Sequence, residues 1–191
     1  MDNNDILIRL RYALDIKDIE MVEIFKLGGI EVTKEQVQKM LIKFNEENLN
    51  EIEICDNFML ESFLNGLIIF KRGKKDNAAG EEETYKIELS KGKNMNNLLL
   101  KRLKTALALT SEDMMEILNL AGVNISKGEL SAVLRKEGHR NYRKCGDRYA
   151  RNFLKGLAIK YRWLGDASIF SAFSTRYRRN FSWEEGIGKR I

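Results

Sequence analysis

The sequence predicts an all-α fold made of two tandem homologous units of four helices each, with a flexible linker between them and an extra C-terminal tail. Three observations predict this fold. The 191 residues include no proline, which leaves long helices uninterrupted. Apolar residues recur three and four positions apart, the spacing of one face of a helix. The chain also matches itself when it is shifted by 93 residues, which is the pattern of a tandem repeat.

The repeat is carried by matched apolar, charged and glycine positions. The first part of each unit matches without a gap, in pairs such as Asn4 and Asn97, Leu7 and Leu100, Arg9 and Arg102, Leu10 and Leu103, Met21 and Met114, Glu23 and Glu116, and Gly29 and Gly122. After a deletion of three residues in the second unit, the register continues with Cys55 and Cys145, Phe63 and Phe153, Leu64 and Leu154, and Gly66 and Gly156. Chance does not align two cysteines and a shared Phe-Leu-x-Gly-Leu string in this way, so we infer one duplicated unit.

The first two helices of each unit are predicted from leucine spacing and from glycine. The first helix covers about 5–14 and about 97–107, where leucines three and four apart form one apolar stripe. The second helix ends just before Gly29 or its match Gly122, because glycine readily takes the left-handed conformation that closes a helix.

The third helix of each unit opens with a capping box. Thr33 is followed three residues later by Gln36, and Ser126 is followed in the same way by Glu129. In this motif the two side chains satisfy free N–H groups of the first helical turn. The boundary of the third helix is therefore predicted at matching positions in both units.

The fourth helix, about 57–71 and about 147–161, is the most apolar and is expected at the centre of each unit. Gly66 and Gly156 lie inside it, where glycine destabilises a helix by about 1 kcal/mol relative to alanine. Close helix–helix approach is the expected reason for both glycines.

These elements divide the chain into four parts: 1–74 is the first unit, 75–93 the linker, 94–163 the second unit and 164–191 the tail. The linker contains a Glu81-Glu82-Glu83 run and has room for one short strand. The tail places Ile169, Phe170, Phe173 and Tyr177 at helical spacing beside three arginines. The first unit has a formal charge of −4 and the second a charge of +8. One unit is therefore acidic and its sister unit basic.

Composition indicates a globular protein of the cytoplasm. The longest apolar stretch, 58–70, is interrupted by polar residues and is shorter than the roughly 20 residues that a membrane span needs. The acidic start of the chain lacks the features of a secretory signal. Cys55 and Cys145 are too few for a disulfide framework or a thiolate metal site, so we expect two buried thiols.

Several strings of the repeat together resemble the YehS-like family of small bacterial proteins, and the resemblance covers about 2–163. The strings are Asn4-Asp5-Ile6-Leu7, Ser62-Phe63-Leu64-Asn65-Gly66-Leu67, Cys145-Gly146-Asp147 and Phe153-Leu154-Lys155-Gly156-Leu157. The resemblance implies a two-copy domain of unknown function in the bacterial cytosol, with no catalytic residues to carry over. The tail departs from the usual length of that family.

A search for catalytic motifs favours a protein that is not an enzyme. No phosphate-binding loop, dinucleotide-binding glycine motif or H-E-x-x-H zinc motif is present. The only histidine, His139, would have to pair with Cys145, and we expect instead a surface histidine in a basic stretch. Glu23 and Glu116 match, but glutamates on helix faces are usually solvated or ion-paired. We predict no catalytic, cofactor or metal site.

The charge difference between the units identifies a candidate binding face for nucleic acid or another polyanion. Positive charge is concentrated in the second half of the second unit, where a cationic stripe lies along the fourth helix. Such a stripe would neutralise phosphates, whereas the plainer interpretation is a solvated face or one turned toward the acidic unit. The candidate residues are Lys127, Arg135, Lys136, Arg140, Arg143, Lys144, Arg148, Arg151 and Lys155.

The second and third helices of the second unit also have the length of a helix-turn-helix, with Gly122 at the turn. In that case Lys127, Ser131 and Arg135 would be the outward residues of the recognition helix. The matching positions of the first unit, Lys34, Gln38 and Ile42, would make a poor DNA reader.

The sequence therefore predicts a non-enzymatic helical binding protein whose basic second unit contacts nucleic acid or another polyanion. The acidic first unit would pack against the second or recruit a protein, and the expected partners of the chain are nucleic acid or an acidic protein. The alternative is a protein-interaction or self-association module, in which acidic and basic units of different molecules attract each other and the tail docks on a partner. Neither function involves a membrane.

Overall fold

A computed structural model describes residues 1–44, 50–74 and 94–163, apart from the side chain of Trp163. These residues form eight α-helices followed by one short π-helix. In chain order the helices are α1 (Asn3–Leu14), α2 (Asp18–Leu27), α3 (Lys34–Met40), α4 (Asn57–Arg72), α5 (Met95–Ala106), α6 (Ser111–Leu120), α7 (Lys127–Leu134), α8 (Asp147–Ala158) and the π-helix (Ile159–Trp163). The predicted all-α fold with two four-helix units is confirmed.

Helix starts follow the capping chemistry of the sequence. Both predicted capping boxes are present, since the hydroxyls of Thr33 and Ser126 accept from the backbone N–H groups of α3 and α7. The first helix of each unit starts two residues earlier than predicted, because Asp2 and Asn94 cap α1 and α5. The α-helix α8 is shorter than predicted, because its last turn widens into the π-helix.

Matched residues in the left-handed conformation make equivalent turns in the two units. Gly29 and Gly122, with φ of 88° and 83°, follow α2 and α6 as predicted. Asp15 and Ala108, with φ of 53° and 52°, turn the chain between the first and second helices. The sequence does not predict this second pair, because aspartate and alanine share no conformational preference that would mark a left-handed residue.

The two units pack reciprocally through their first and fourth helices. In each unit the first helix lies against the fourth helix of the other unit, so that α1 contacts α8 and α5 contacts α4. Within each unit the fourth helix packs on the second, as α4 on α2 and α8 on α6. The matched elements are thus related by a pseudo-two-fold axis, and their buried side chains form one continuous core.

Four helices begin at the same end of the molecule. Hydrogen bonds join the start of α1 to that of α4 (Asn3 Nδ2 to Asn57 Oδ1, 2.9 Å) and the start of α5 to that of α8 (Asn96 Nδ2 to Asp147 Oδ1, 2.8 Å). The amine of Met1 contacts Asp147, which brings the starts of α1 and α8 together. We call this the N-terminal end of the bundle.

Two arginines close the opposite end. Arg72 donates to the carbonyl of Thr105 at 3.2 Å, and Arg162 donates to the carbonyl of Tyr12 at 3.1 Å. Both carbonyls lie in the last turn of a first helix, where the helix dipole favours a positive charge. The two contacts are equivalent under the pseudo-two-fold axis and connect each fourth helix to the other unit.

The glycines of the fourth helices permit backbone contact with the second helices, as predicted. A Cβ atom added at Gly66 would lie 1.8 Å from the carbonyl oxygen of Ile24, and one added at Gly156 would lie 1.9 Å from that of Ile117. Any larger side chain would push the helices apart.

The predicted linker (75–93) and tail (164–191), including the tail's aromatic spacing, lie outside the described residues. No helix in the described ranges is both long enough and apolar enough to cross a membrane.

Candidate functional site

An asparagine in each first helix holds the chain segment that leads into the fourth helix of its own unit; Asn97 is buried and Asn4 is half-buried. Asn97 Nδ2 donates to the carbonyls of Val133 (2.7 Å) and Arg143 (2.8 Å), and its Oδ1 accepts from the N–H of Cys145 (2.8 Å). Asn97 is only 3% exposed, so these bonds satisfy groups that water does not reach. The segment 143–145 is thereby fixed on the core.

The neighbouring asparagine adds a second pair of bonds. Asn96 Nδ2 donates to the carbonyl of Cys145 at 3.2 Å and to Asp147 Oδ1 at 2.8 Å. Both backbone groups of Cys145 are therefore bound to side chains of α5. Its thiol is buried, and burial raises the pKa of Cys145 to about 12.

The first unit repeats this network atom for atom. Asn4 Nδ2 donates to the carbonyls of Met40 (3.0 Å) and Glu53 (2.7 Å), and its Oδ1 accepts from the N–H of Cys55 (3.0 Å). Asn3 Nδ2 donates to the carbonyl of Cys55 at 3.1 Å. We call each of these networks an asparagine clamp. Cys55 and Cys145 are both buried, which confirms the prediction of two buried thiols.

Five of the nine predicted cations lie on the segment between α7 and α8 or directly after it. Lys136, Arg140, Arg143 and Lys144 lie on the segment between α7 and α8, and Arg148 follows in the first turn of α8. Of the nine candidates, seven are exposed, whereas Arg135 and Lys155 are half-buried.

Two of the exposed cations are neutralised by glutamates. Lys127 Nζ lies 2.9 Å from Glu112 Oε1, and Arg143 Nη1 lies 3.4 Å from Glu129 Oε1. The pKa of Glu129 is below its usual value, first because the backbone N–H of Ser126 donates to it and also because Arg143 is near. Within the described ranges, the remaining five exposed candidates have no carboxylate within 4 Å; they are Lys136, Arg140, Lys144, Arg148 and Arg151.

The matching face of the first unit has a different chemistry. Ile54 stands where the second unit has Lys144, and Phe58 stands where it has Arg148. Ile54 is 77% exposed and Phe58 49% exposed, so neither is used in the core. Glu53 replaces Arg143. The pseudo-two-fold axis therefore relates a cationic face to an apolar and acidic one.

Backbone dipoles add to the positive potential of the cationic face. Asp56 caps α4 by accepting from the N–H of Met59, whereas Gly146 gives α8 no side-chain cap. The free N–H groups at the start of a helix carry partial positive charge. A pocket of about 180 Å³ lies beside this helix start and is lined in part by Glu129, Arg143, Lys144 and Gly146.

The residues considered for catalysis lie in different environments. Cys145 is buried with its Sγ directed at the carbonyl of Gly146, while His139 is exposed and contacts Arg135 through its ring nitrogens. Glu23 is exposed, and Glu116 bonds to Lys160 at 2.7 Å, as expected for surface glutamates. Among the described residues no group of three His, Cys, Asp or Glu side chains could hold a metal.

The sequence predicted the cations but not the role of the asparagines, which hold the backbone that carries some of these cations. Asn3 and Asn4 match Asn96 and Asn97, and this repeated Asn-Asn pair is the signal that could have identified the clamps. Both pairs lie in the first turn of a helix, where asparagine is common for reasons of capping alone, so the pair by itself does not indicate a clamp.

The described fold defines a class of protein: two copies of one four-helix unit that share a core and present two dyad-related faces. The family model "Protein of unknown function (DUF1456)" matches both copies, over residues 3–73 and 96–162, and the chain belongs to this family. The chain is similar to "Uncharacterized protein YehS" of Escherichia coli (strain K12), with 39% identity over 160 residues, which are 84% of this chain and 96% of that protein. No solved structure matches the chain.

Proposed function

We propose that this chain is a non-enzymatic binding protein that contacts nucleic acid or another polyanion through the exposed cations of its second unit. The observation that carries the proposal is the set of five exposed cations without a carboxylate partner in the described ranges, four of which lie between Lys136 and Arg148. Unpaired surface cations gain the most from phosphates, because no internal ion pair has to break. A cytoplasmic location is part of this proposal.

The first unit has a separate role in the proposal. It holds the second unit through the reciprocal packing of α1 on α8 and α4 on α5. Its acidic and apolar face repels phosphates and leaves one side of the molecule open to a protein partner. A single chain would thus bind one polyanion segment through one face.

The helix-turn-helix interpretation of α6 and α7 stays a prediction. Lys127, at the start of α7, is engaged with Glu112, which lowers the pKa of that glutamate through a hydrogen bond. The remaining outward residues are Ser131, which is exposed, and Arg135, which is half-buried. We therefore expect phosphate contacts to dominate over base reading.

The proposal is tested by fluorescence anisotropy with short mixed-sequence DNA and RNA duplexes at low and at physiological salt. We expect binding at low salt that weakens as salt rises, because bound phosphates release counterions. The variant Lys144→Ala with Arg148→Ala should raise Kd about tenfold at low salt, since each lost phosphate contact is worth roughly 1 kcal/mol or less when exposed.

A charge-matched control separates a local face from net charge. Lys26→Ala with Lys34→Ala removes the same two charges from exposed positions of the first unit and should leave Kd almost unchanged. The absence of binding at low salt, or equal weakening by both double variants, would refute the proposed face.

The exposed apolar residues of the first unit favour a second candidate function, protein interaction or self-association. Ile54, Phe58 and Phe44, the last 64% exposed, are large side chains that a monomer usually buries. Sedimentation across a salt series distinguishes the two functions, because self-association between acidic and basic units should fall as salt rises without any nucleic acid present.

A further inference from the structure

The backbone around Lys144 is held from both sides by one side-chain amide. The carbonyl of Arg143, just before Lys144, accepts from Asn97 Nδ2, and the N–H of Cys145, just after it, donates to Asn97 Oδ1. Lys144 itself is exposed. The clamp therefore fixes the two peptide groups on either side of a cation while leaving its side chain free in solvent.

The same clamp also sets the start of α8 and the end of α7. Asn97 Nδ2 binds the carbonyl of Val133 in the last turn of α7, and Asn96 binds Asp147 in the first turn of α8. Because Arg148 directly follows Asp147, both neighbouring cations are placed by one pair of asparagines. The backbone that carries these cations then needs little ordering when a ligand arrives, so that only the side chains lose freedom.

The clamp of the first unit shows that this arrangement does not depend on the side chain displayed. Asn4 binds the carbonyl of Glu53 and the N–H of Cys55, and the exposed residue between them is Ile54. Cation and apolar side chain thus occupy the same fixed position in the two units. The clamp fixes the same backbone conformation in both units, and the exposed residue at this position differs between them.

We propose that Asn97 is a positioning residue for polyanion binding, which it supports by holding the Arg143–Cys145 backbone so that Lys144 and Arg148 meet successive phosphates of a nucleic-acid backbone. This inference rests on the proposed function. Asn97 is buried and would strengthen binding without touching the ligand. The ligand chemistry implied is the phosphodiester chain.

The test compares Asn97→Ala with Asn4→Ala in the full chain. Each substitution removes the equivalent three hydrogen bonds, so both variants should lose thermal stability, and Asn97→Ala should lose at least as much because Asn97 is the more buried. Binding to a short DNA duplex is measured at a temperature where both are folded. We expect Asn97→Ala to raise Kd about tenfold and Asn4→Ala to leave it nearly unchanged.

The outcomes separate this inference from the proposed function. If Asn97→Ala binds as well as the unaltered chain while Lys144→Ala with Arg148→Ala binds more weakly, the positioning role of Asn97 is wrong. The proposed binding face is then still supported. Equal losses for Asn97→Ala and Asn4→Ala would also overturn the positioning role, because general destabilisation would explain both. If none of these variants changes Kd, the proposed face itself fails.

A graft tests the scaffold independently of whether Asn97→Ala folds. Glu53→Arg, Ile54→Lys and Phe58→Arg place on the first clamp the residues found at matching positions of the second, which the fold already accepts there. We expect calorimetry to show a second duplex-binding site per chain, and Asn4→Ala added to the graft to remove it. A folded graft with one site only, or a second site that survives Asn4→Ala, would overturn the inference.

Discussion

Asn4 and Asn97 make the same three hydrogen bonds in units of opposite net charge. An amide is suited to this position because it donates and accepts at once, and both kinds of backbone group are presented to it. Leaving a buried backbone donor or acceptor unpaired would destabilise the fold by about 1–3 kcal/mol. The clamp thus explains why matching backbone paths persist beneath surfaces of opposite charge.

The two cysteines next to the clamps are predicted to be unreactive in the native protein. Burial, together with Asp56 and Asp147 nearby, raises the pKa of both thiols to about 12, so at pH 8 the reactive thiolate is scarce. A chromogenic disulfide reagent should label Cys55 and Cys145 at pH 8 only as fast as the protein unfolds. The urea-denatured chain is the control and should react at once; rapid labelling of two thiols per native chain would contradict the prediction.

In each unit the second and fourth helices are in backbone contact, at Gly66 in the first unit and at Gly156 in the second. These matched contacts set the distance between the two helices. Capping, periodicity and glycine position predicted these helices because each depends on residues within one or two turns. The start of α1 and the π-helical end of α8 departed from prediction. The helix start moved because Asp2 caps α1, so that the helix begins at Asn3, and α8 is shorter because its last turn widens into the π-helix.

Alanine at either contact glycine should destabilise the protein strongly. The new Cβ of Gly66→Ala or Gly156→Ala would lie within 2 Å of a carbonyl oxygen, so the second and fourth helices must separate. We expect the free energy of unfolding to fall by about 3 kcal/mol or more. Thermal denaturation followed by circular dichroism measures the loss.

Gly128→Ala provides the control for the glycine variants. Apart from Gly128's own chain neighbours and helix backbone, no atom of the described residues would lie within 4 Å of a Cβ at Gly128, which is in the exposed first turn of α7. We expect Gly128→Ala to raise the free energy of unfolding by up to about 1 kcal/mol, because alanine has a higher helix propensity than glycine. A loss at Gly128 equal to that at Gly156 would show that contact with the second helix is not the cause.

Across the whole molecule, the two units depend on each other because each first helix packs on the other unit's fourth helix. The α4–α5 contact includes Glu61, fully buried, 3.7 Å from Arg102. At the dyad-related contact the matching residues are Arg151 and Arg9, and there Arg9 pairs with Asp5 at 2.8 Å. The two contacts between the units therefore differ in charge although their helices match.

This difference predicts how the separated units behave. A homodimer of 1–74 would bring Glu61 opposite Arg9, whereas a homodimer of 94–163 would bring Arg151 opposite Arg102. We expect 1–74 to form a folded dimer and 94–163 to stay largely unfolded, since about 70 residues without their packing partner bury too little surface. Circular dichroism and sedimentation equilibrium measure both properties.

Mixing the two separate units is the positive control. An equimolar mixture should regain the helicity of the full chain, because each unit then finds its native partner. A folded monomer of 1–74, or a stable dimer of 94–163, would contradict the reciprocal packing.

The sequence by itself determined the eight helices, the duplication, the buried cysteines and the opposite charges of the units, because these follow from spacing, capping and composition. Only the tertiary structure decided that α1 packs on α8 and that Asn97 holds the basic segment. The apolar patterns of α4 and α8 match, so pattern alone cannot choose which of them receives α1. Hydrogen bonds between residues about fifty positions apart likewise leave no periodic trace in the chain.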